Sequence, residues 1–296
     1  MTHFSKAKAV AWMPLDPARA QKLVDARLQF HHAAQLATAL GISYLEKKAD
    51  DSHTNLEWLP AIGALASNPV PVDHVAAPGD QPINGSERKA IRVAVRPQLF
   101  ALLVIATPDL VLAQFGLDGR TIEDAARWLR ARLGQYGLDP TRFTLDRHYT
   151  IPPHPVADGA PFHDDVDALD ELGRWYRDAS IVLGDFAAKV PGASPVRCWP
   201  HHFDIATLID RGNGKSVGLG MESGDQYYAE PYWYANAYPA PDFRGKFPSL
   251  DGEGAWHTAE WTGAVLTGSK MDGPDQGAQA ARFFQSALRA YGVDAA

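Results

Sequence analysis

The sequence predicts an α+β protein, with antiparallel sheet packed against long helices. Three observations support this. Two stretches of 25 residues or so carry helical periodicity between clear start and stop signals. Between them lie short runs that alternate apolar and polar residues, punctuated by Gly, Pro and Asn. A proline-rich stretch, Thr150–Pro161, divides the chain into 1–150 and 151–296, and each half reads helix, strands, helix. In each half a strand bearing Trp and His follows the first helix: His53-Thr54-Asn55-Leu56-Glu57-Trp58 and Trp199-Pro200-His201-His202-Phe203-Asp204. This pattern suggests two pseudo-repeated α-β-α halves.

Ala9–Leu15 reads as a short strand, and Asp16-Pro17 as an N-cap followed by proline at the first helical position. The helix then runs to about Leu45. Leu28, His32, Leu36 and Leu40 form one i,i+4 row on it, and His31 and Gln35 form the neighbouring row. His53–Leu59 is predicted as a strand with His53, Asn55 and Glu57 on one face. Asn68–Gly85, with four prolines, is predicted as loop. Ile91–Thr107 gives two strands with a turn at Pro97-Gln98. Thr121 and Asp124 cap a helix that Gly137 ends.

Asp164–Lys189 is the second long helix, with Val166, Leu169, Leu172 (or Gly173) and Tyr176 as its apolar stripe. Cys198–Ile209 reads as a strand. A turn at Arg211-Gly212-Asn213-Gly214 leads to a strand over Ser216–Ser223. Tyr227–Tyr238 is an aromatic strand, Pro239–Gly254 a loop, Glu260–Thr267 a strand, and Asp275–Ala290 a closing helix presenting Phe283, Phe284, Leu288 and Tyr291.

The composition excludes several function classes. The 296 residues are 46% apolar and 21% charged, with a formal net charge of −7. No basic run offers a nucleic-acid footprint or a polybasic membrane contact. The most apolar stretch, Leu99–Ala106, is too short to span a bilayer. With one cysteine, Cys198, no disulfide forms within the chain, and the N-terminus lacks an apolar signal core, so a cytoplasmic location is expected. There is no GxGxxG, GxSxG or HExxH. Gly212-Asn213-Gly214-Lys215-Ser216 lacks phosphate-loop spacing. No nucleotide cofactor is expected.

The chemistry-bearing residues fall in three groups. Alternation along Cys198–Ile209 puts His202 and Asp204 on one side, where they can ligate a divalent metal or act as a base and its orienter. Glu222, His53, Glu57 and His31 are candidate further ligands. The alternative is a self-satisfied His–Asp hydrogen bond, and a bulge at Pro200 would reverse the faces. The aromatic strand places Glu230, Tyr232, Tyr234, Asn236 and Tyr238 on one face. That row combines flat contact area with hydrogen bonds, as a pocket for a small organic or sugar-like ligand requires. The alternative is a sheet face covered by a helix or loop. His53, Asn55 and Glu57, with His31 and Gln35 beneath and His201 nearby, form a third polar group, whose plain reading is the wet face of a strand. His257 and Glu260 in Trp256–Trp261 are weaker candidates, and Cys198 reads as a buried inert thiol.

These pieces resemble, in order and spacing, a bacterial family catalogued as domain of unknown function 5996. The resemblance is carried by His31 and Gln35, by His53 with Ser67-Asn68-Pro69-Val70-Pro71, by Ser194-Pro195-Val196, by Phe203-Asp204-Ile205-Ala206, and by Tyr238-Pro239-Ala240-Pro241. The chain departs from the family pattern at His201-His202, where smaller residues are common, so the double histidine is no family-wide requirement. The resemblance implies a shared fold and no activity.

Three functions follow as expectations. The first is a protein that binds a small molecule in a pocket lined by His, Asp and Tyr. The second is a metal-dependent hydrolase or oxygenase using His202 and Asp204. The third is a non-catalytic interaction module, including one that forms a homo-oligomer.

Overall fold

The structure, a computed structural model, describes residues 14–15, 17–72 and 89–293. Asp16 and most of the expected strand Ala9–Leu15 lie outside the described residues. The fold is mixed α and β: four α-helices and twelve strands, with every strand pairing antiparallel. Its described residues group into two compact units. One takes those up to Val24, Arg174–Arg197 and Asp204 onward; the other takes Asp25–Gly173 and Cys198–Phe203. The division therefore does not follow the halves 1–150 and 151–296, and Thr150–Pro161 falls wholly inside the second unit.

The second unit holds α1 (Pro17–Tyr44) from Asp25 onward, β1 (Leu56–Leu59), β2 (Ala64–Ser67), β3 (Val70–Val72), β4 (Lys89–Arg96), β5 (Ala101–Ala106), β6 (Leu110–Gly116) and α2 (Ile122–Gln135). It also holds Cys198 and Trp199 of β7 (Arg197–Trp199). Its strand order is β7-β1-β2-β4-β5-β6, with β3 also on β4. β5 is Ala-Leu-Leu-Val-Ile-Ala and is buried along its whole length, as a central strand covered on both faces must be. The capping box at Thr121 is complete. The Thr121 hydroxyl accepts from the Asp124 amide at 3.1 Å, and the Asp124 carboxylate accepts from the Thr121 amide at 3.1 Å.

Three expectations are corrected here. The strand predicted at His53 begins only at Leu56. His53 and Thr54 lie in a turn before it, so His53, Asn55 and Glu57 do not share a strand face. The region read as loop from Asn68 contains β3, whose Pro71 is tolerated because β3 pairs on one side only. β2 and β6 went unread: β2, Ala-Leu-Ala-Ser, has little polar contrast to show a period, and β6 is largely exposed.

The first unit holds α3 (Val166–Lys189) from Arg174 onward, β8 (Asp204–Asp210), β9 (Ser216–Glu222), β10 (Tyr232–Tyr238), β11 (Ala255–His257), β12 (Gly263–Thr267) and α4 (Gln276–Ala290). Its strand order is β11-β12-β10-β9-β8. The β8–β9 turn is the expected one, with Gly212, Asn213 and Gly214 all at positive φ. One sheet face carries Ile205, Leu219, Met221, Trp233, Ala235 and Leu266, all buried. α4 packs on β10 and β12, with Phe284 edge-on to Trp233 at 5.7 Å. Trp175 of α3 lies 6.2 Å from Trp233, and Phe186 5.5 Å from Phe284. Of the predicted α3 stripe, Leu169, Leu172 and Tyr176 are buried. Val166, at the helix start, is 55% exposed and is not part of it.

Candidate functional site

The opposite face of the first unit's sheet carries the chemistry. Antiparallel register sets Tyr232 opposite Glu222, Tyr234 opposite Gly220 and Asn236 opposite Gly218. On β8 the same face presents Asp204, Ala206 and Leu208, since Ala206 pairs with Gly220. β9 therefore offers this face only glycine at two successive positions. That gap is filled from the neighbouring strand. A Cβ on Gly220 would lie 2.4–2.5 Å from the ring and hydroxyl of Tyr234, so the phenol lies flat across β9. Its hydroxyl reaches β8 and donates to Asp204 Oδ2 at 2.5 Å. Asn236 fills the Gly218 gap in the same way. The ring of Trp261 covers Gly263.

The loop between β9 and β10 folds beside these residues. Asp225 accepts from the Tyr227 and Tyr228 amides at 2.7 and 2.9 Å, and from the Tyr232 hydroxyl at 2.8 Å. The Tyr228 ring sits 4.8 Å from that of Tyr232, and its hydroxyl is 3.0 Å from His257 Nδ1. His257 stacks on Trp261 at 4.3 Å, and its Nε2 is buried without a hydrogen-bond partner among the described residues. Glu222 accepts from the Ser223 amide at 3.1 Å. The Ser223 hydroxyl is buried and bonded to none of the described residues.

Electrostatics follow from this packing. Burial raises the phenols of Tyr232 and Tyr234 well above their usual range. The carboxylates push in the same direction, Glu222 and Asp225 on Tyr232, and Asp204 on Tyr234. Both tyrosines are therefore neutral hydrogen-bond donors near pH 7. Asp204, Glu222 and Tyr232 are all buried.

The second unit contains a different construction around the double histidine. The strand expected over Cys198–Ile209 is broken. β7 ends at Trp199, Pro200–Phe203 form a turn, and β8 starts at Asp204. Phe203 sits at φ 70°, a left-handed conformation costly for a bulky side chain. The turn reverses the alternation that set His202 beside Asp204, so those two residues are not an i,i+2 pair on one strand face. Pro200 was the sequence signal for the break.

The turn is held from α1. The Pro200 carbonyl accepts from His31 Nε2 at 2.8 Å and from Gln35 Nε2 at 3.0 Å. Gln35 Oε1 in turn accepts from the Tyr149 hydroxyl at 2.9 Å. The His31 ring stacks on Phe203 at 4.5 Å and an interplanar angle of 4°, with Phe30 edge-on at 5.2 Å. Burial drives His31 down to about 3, against the opposing pull of the Pro200 carbonyl. His31 is thus neutral, with its proton on Nε2. His201 is half-buried, its ring 4.4 Å from that of the exposed His202, and burial lowers its pKa.

The remaining predicted residues have plain structural partners. His53 Nδ1 accepts from the Lys48 amide at 3.3 Å. Glu57 pairs with Arg92 at 2.6 Å. Glu230 precedes β10 and is no part of the tyrosine row; its carboxylate accepts from the Ser269 amide and hydroxyl at 2.6 and 2.8 Å. Among the described residues, one trio could place ligand atoms around a single ion: Asp118, His163 and Asp164, mostly exposed. It contains neither His202 nor Asp204. Asp225, Tyr228, Tyr149 and Ser223 were not singled out from sequence. For the first two, the signal was Gly218-x-Gly220: glycines alternating in a strand mark a face where another group lies close. No protein-family model, curated protein or solved structure matches the chain. Among the described residues, no helix is long and apolar enough to cross a membrane.

Proposed function

We propose that the protein binds a small organic molecule on the tyrosine and carboxylate face of the first unit, at Asp204, Glu222, Tyr232 and Tyr234. The observation behind this reading is the Tyr234–Asp204 bond across a glycine gap. A phenol laid over bare backbone and hydrogen-bonded to a buried carboxylate two strands away fixes polar atoms in place at a cost in desolvation. The buried, partnerless Ser223 hydroxyl beside Glu222 adds a polar group for a ligand to satisfy. Small-molecule sites combine flat apolar walls with a few such fixed polar groups. His257 with Tyr228 supplies the histidine of this face.

A thermal-shift screen of small polar compounds tests the reading, with hits repeated on Tyr234→Phe and Asp204→Asn. A shift that is lost in both variants while their folding is retained supports it. Compounds that shift the parent and both variants equally bind elsewhere and would sink it. Elemental analysis of the untagged protein is the companion measurement. Stoichiometric metal that vanishes in Asp204→Asn would replace this reading with the metal-dependent one.

A further inference from the structure

We infer that the ligand of this face is an organic ammonium ion, a free primary amine in its protonated form. The inference rests on the binding site proposed above and names its ligand class. Three features of the page lead to it.

The first is the balance of donors and acceptors. Carboxylates only accept, and the two buried phenols have committed their protons, Tyr234 to Asp204 and Tyr232 to Asp225. A ligand bringing further acceptors meets few donors. A primary ammonium brings three donors and no acceptor, which is the complement of this set. The Ser223 hydroxyl, able to accept, lies buried directly after Glu222.

The second is the sign of the field. Glu222, Asp225 and Asp204 all act on Tyr232, and Asp204 and Glu222 on Tyr234, each opposing a phenolate. A potential that disfavours an added negative charge favours an added positive one. The net charge of −7 draws cations toward the protein in the same sense.

The third is the aromatic surface. Tyr228, Tyr232 and Tyr234 are contiguous, with ring centroids 4.8 and 6.4 Å apart. Phenol faces attract cations, most strongly where water is excluded. Tyr232 and the two carboxylates are buried, so the group to be recognised is small.

The experiment is calorimetric titration of the full chain at pH 7 with 1,4-diaminobutane, tetramethylammonium, xylitol and glutarate. The expected result is binding of the diamine, with the other three weaker by about tenfold or more. Glu222→Gln and Tyr234→Phe should each weaken the diamine by about tenfold or more, because each removes a charge or a charge-holding bond. Tyr234→Phe keeps the ring over Gly220 and so guards against loss of the fold. Preferential binding of xylitol or glutarate, lost in Tyr234→Phe, would overturn the ammonium assignment and leave the binding site standing. Tetramethylammonium binding as tightly as the diamine would overturn the donor argument. If the diamine binds both variants as it binds the parent, the ammonium assignment at this face is refuted, and the thermal-shift screen decides separately whether the face binds anything.

Discussion

Gly220→Ala is the sharpest perturbation of the tyrosine face. The new methyl would sit 2.4–2.5 Å from Tyr234 Cε1, Cζ and Oη, where ordinary contact needs roughly 3.4–4 Å, so the ring must lift by about 1 Å or more. Lifting costs packing, roughly 1–3 kcal/mol for an overfilled site. It also pulls the hydroxyl off Asp204, and a hydrogen bond to a charged group is worth roughly 1.5–3 kcal/mol. Removing glycine flexibility from the unfolded chain returns roughly 0.4–1 kcal/mol. The expected net loss is about 3 kcal/mol, assigned to one contact. Urea unfolding followed by tryptophan fluorescence measures it, in a cycle with Tyr234→Ala. With the ring gone, Gly220→Ala should change stability by less than about 0.5 kcal/mol. Equal destabilisation in both backgrounds would show that Gly220 is required for backbone reasons, and the account of the face would fail.

Other expectations concern single groups. His31, held down at about 3 when folded against an ordinary 6.5, binds its proton in the unfolded state first. Its contribution is full above pH 6.5 and falls as pH drops toward 3, about 2 kcal/mol lost by pH 5; urea midpoints at pH 7 and 5 should converge in His31→Gln, and an unchanged pH slope would refute this. Tyr232→Phe and Tyr234→Phe should leave the phenolate absorbance titration below about pH 11 unchanged, since both phenols are raised above it. Thr121→Ala should cost about 1 kcal/mol through loss of the α2 cap, read as a shift in midpoint at constant slope. Glu57→Gln should weaken its bond to buried Arg92, destabilising by roughly 1–3 kcal/mol, while Glu57 contributes nothing to ligand affinity in the titrations above.

Much of the fold could be read from local signals. The helix ends at Thr121, the apolar side of α4 and the Gly212–Gly214 turn depend on residues close in sequence, and each was placed within a few positions. The tyrosine row Tyr232, Tyr234, Asn236, Tyr238 also followed from strand alternation. What escaped was non-local. The turn at Pro200–Phe203 is stabilised from α1, some 165 residues earlier, and alternation carried straight through it gave the wrong partner for His202. The closure of Tyr234 over Gly220 needs the β9–β10 register, which pattern alone does not set. Asp225 looked like an ordinary loop acid because its partners, Tyr228 and Tyr232, meet it only when the loop folds back.

The doubly accepted carbonyl of Pro200 has a kinetic corollary. Both of its bonds come from adjacent rows of one helix, and the helix middle is fully buried. The turn bearing His201 and His202 then cannot open while that helical turn persists. Its amides, in particular Phe203 N bonded to Trp199 O, should exchange with solvent at the slow rate of α1 rather than at the rate of a surface loop. A short loop would thereby inherit the opening free energy of the longest helix in the chain.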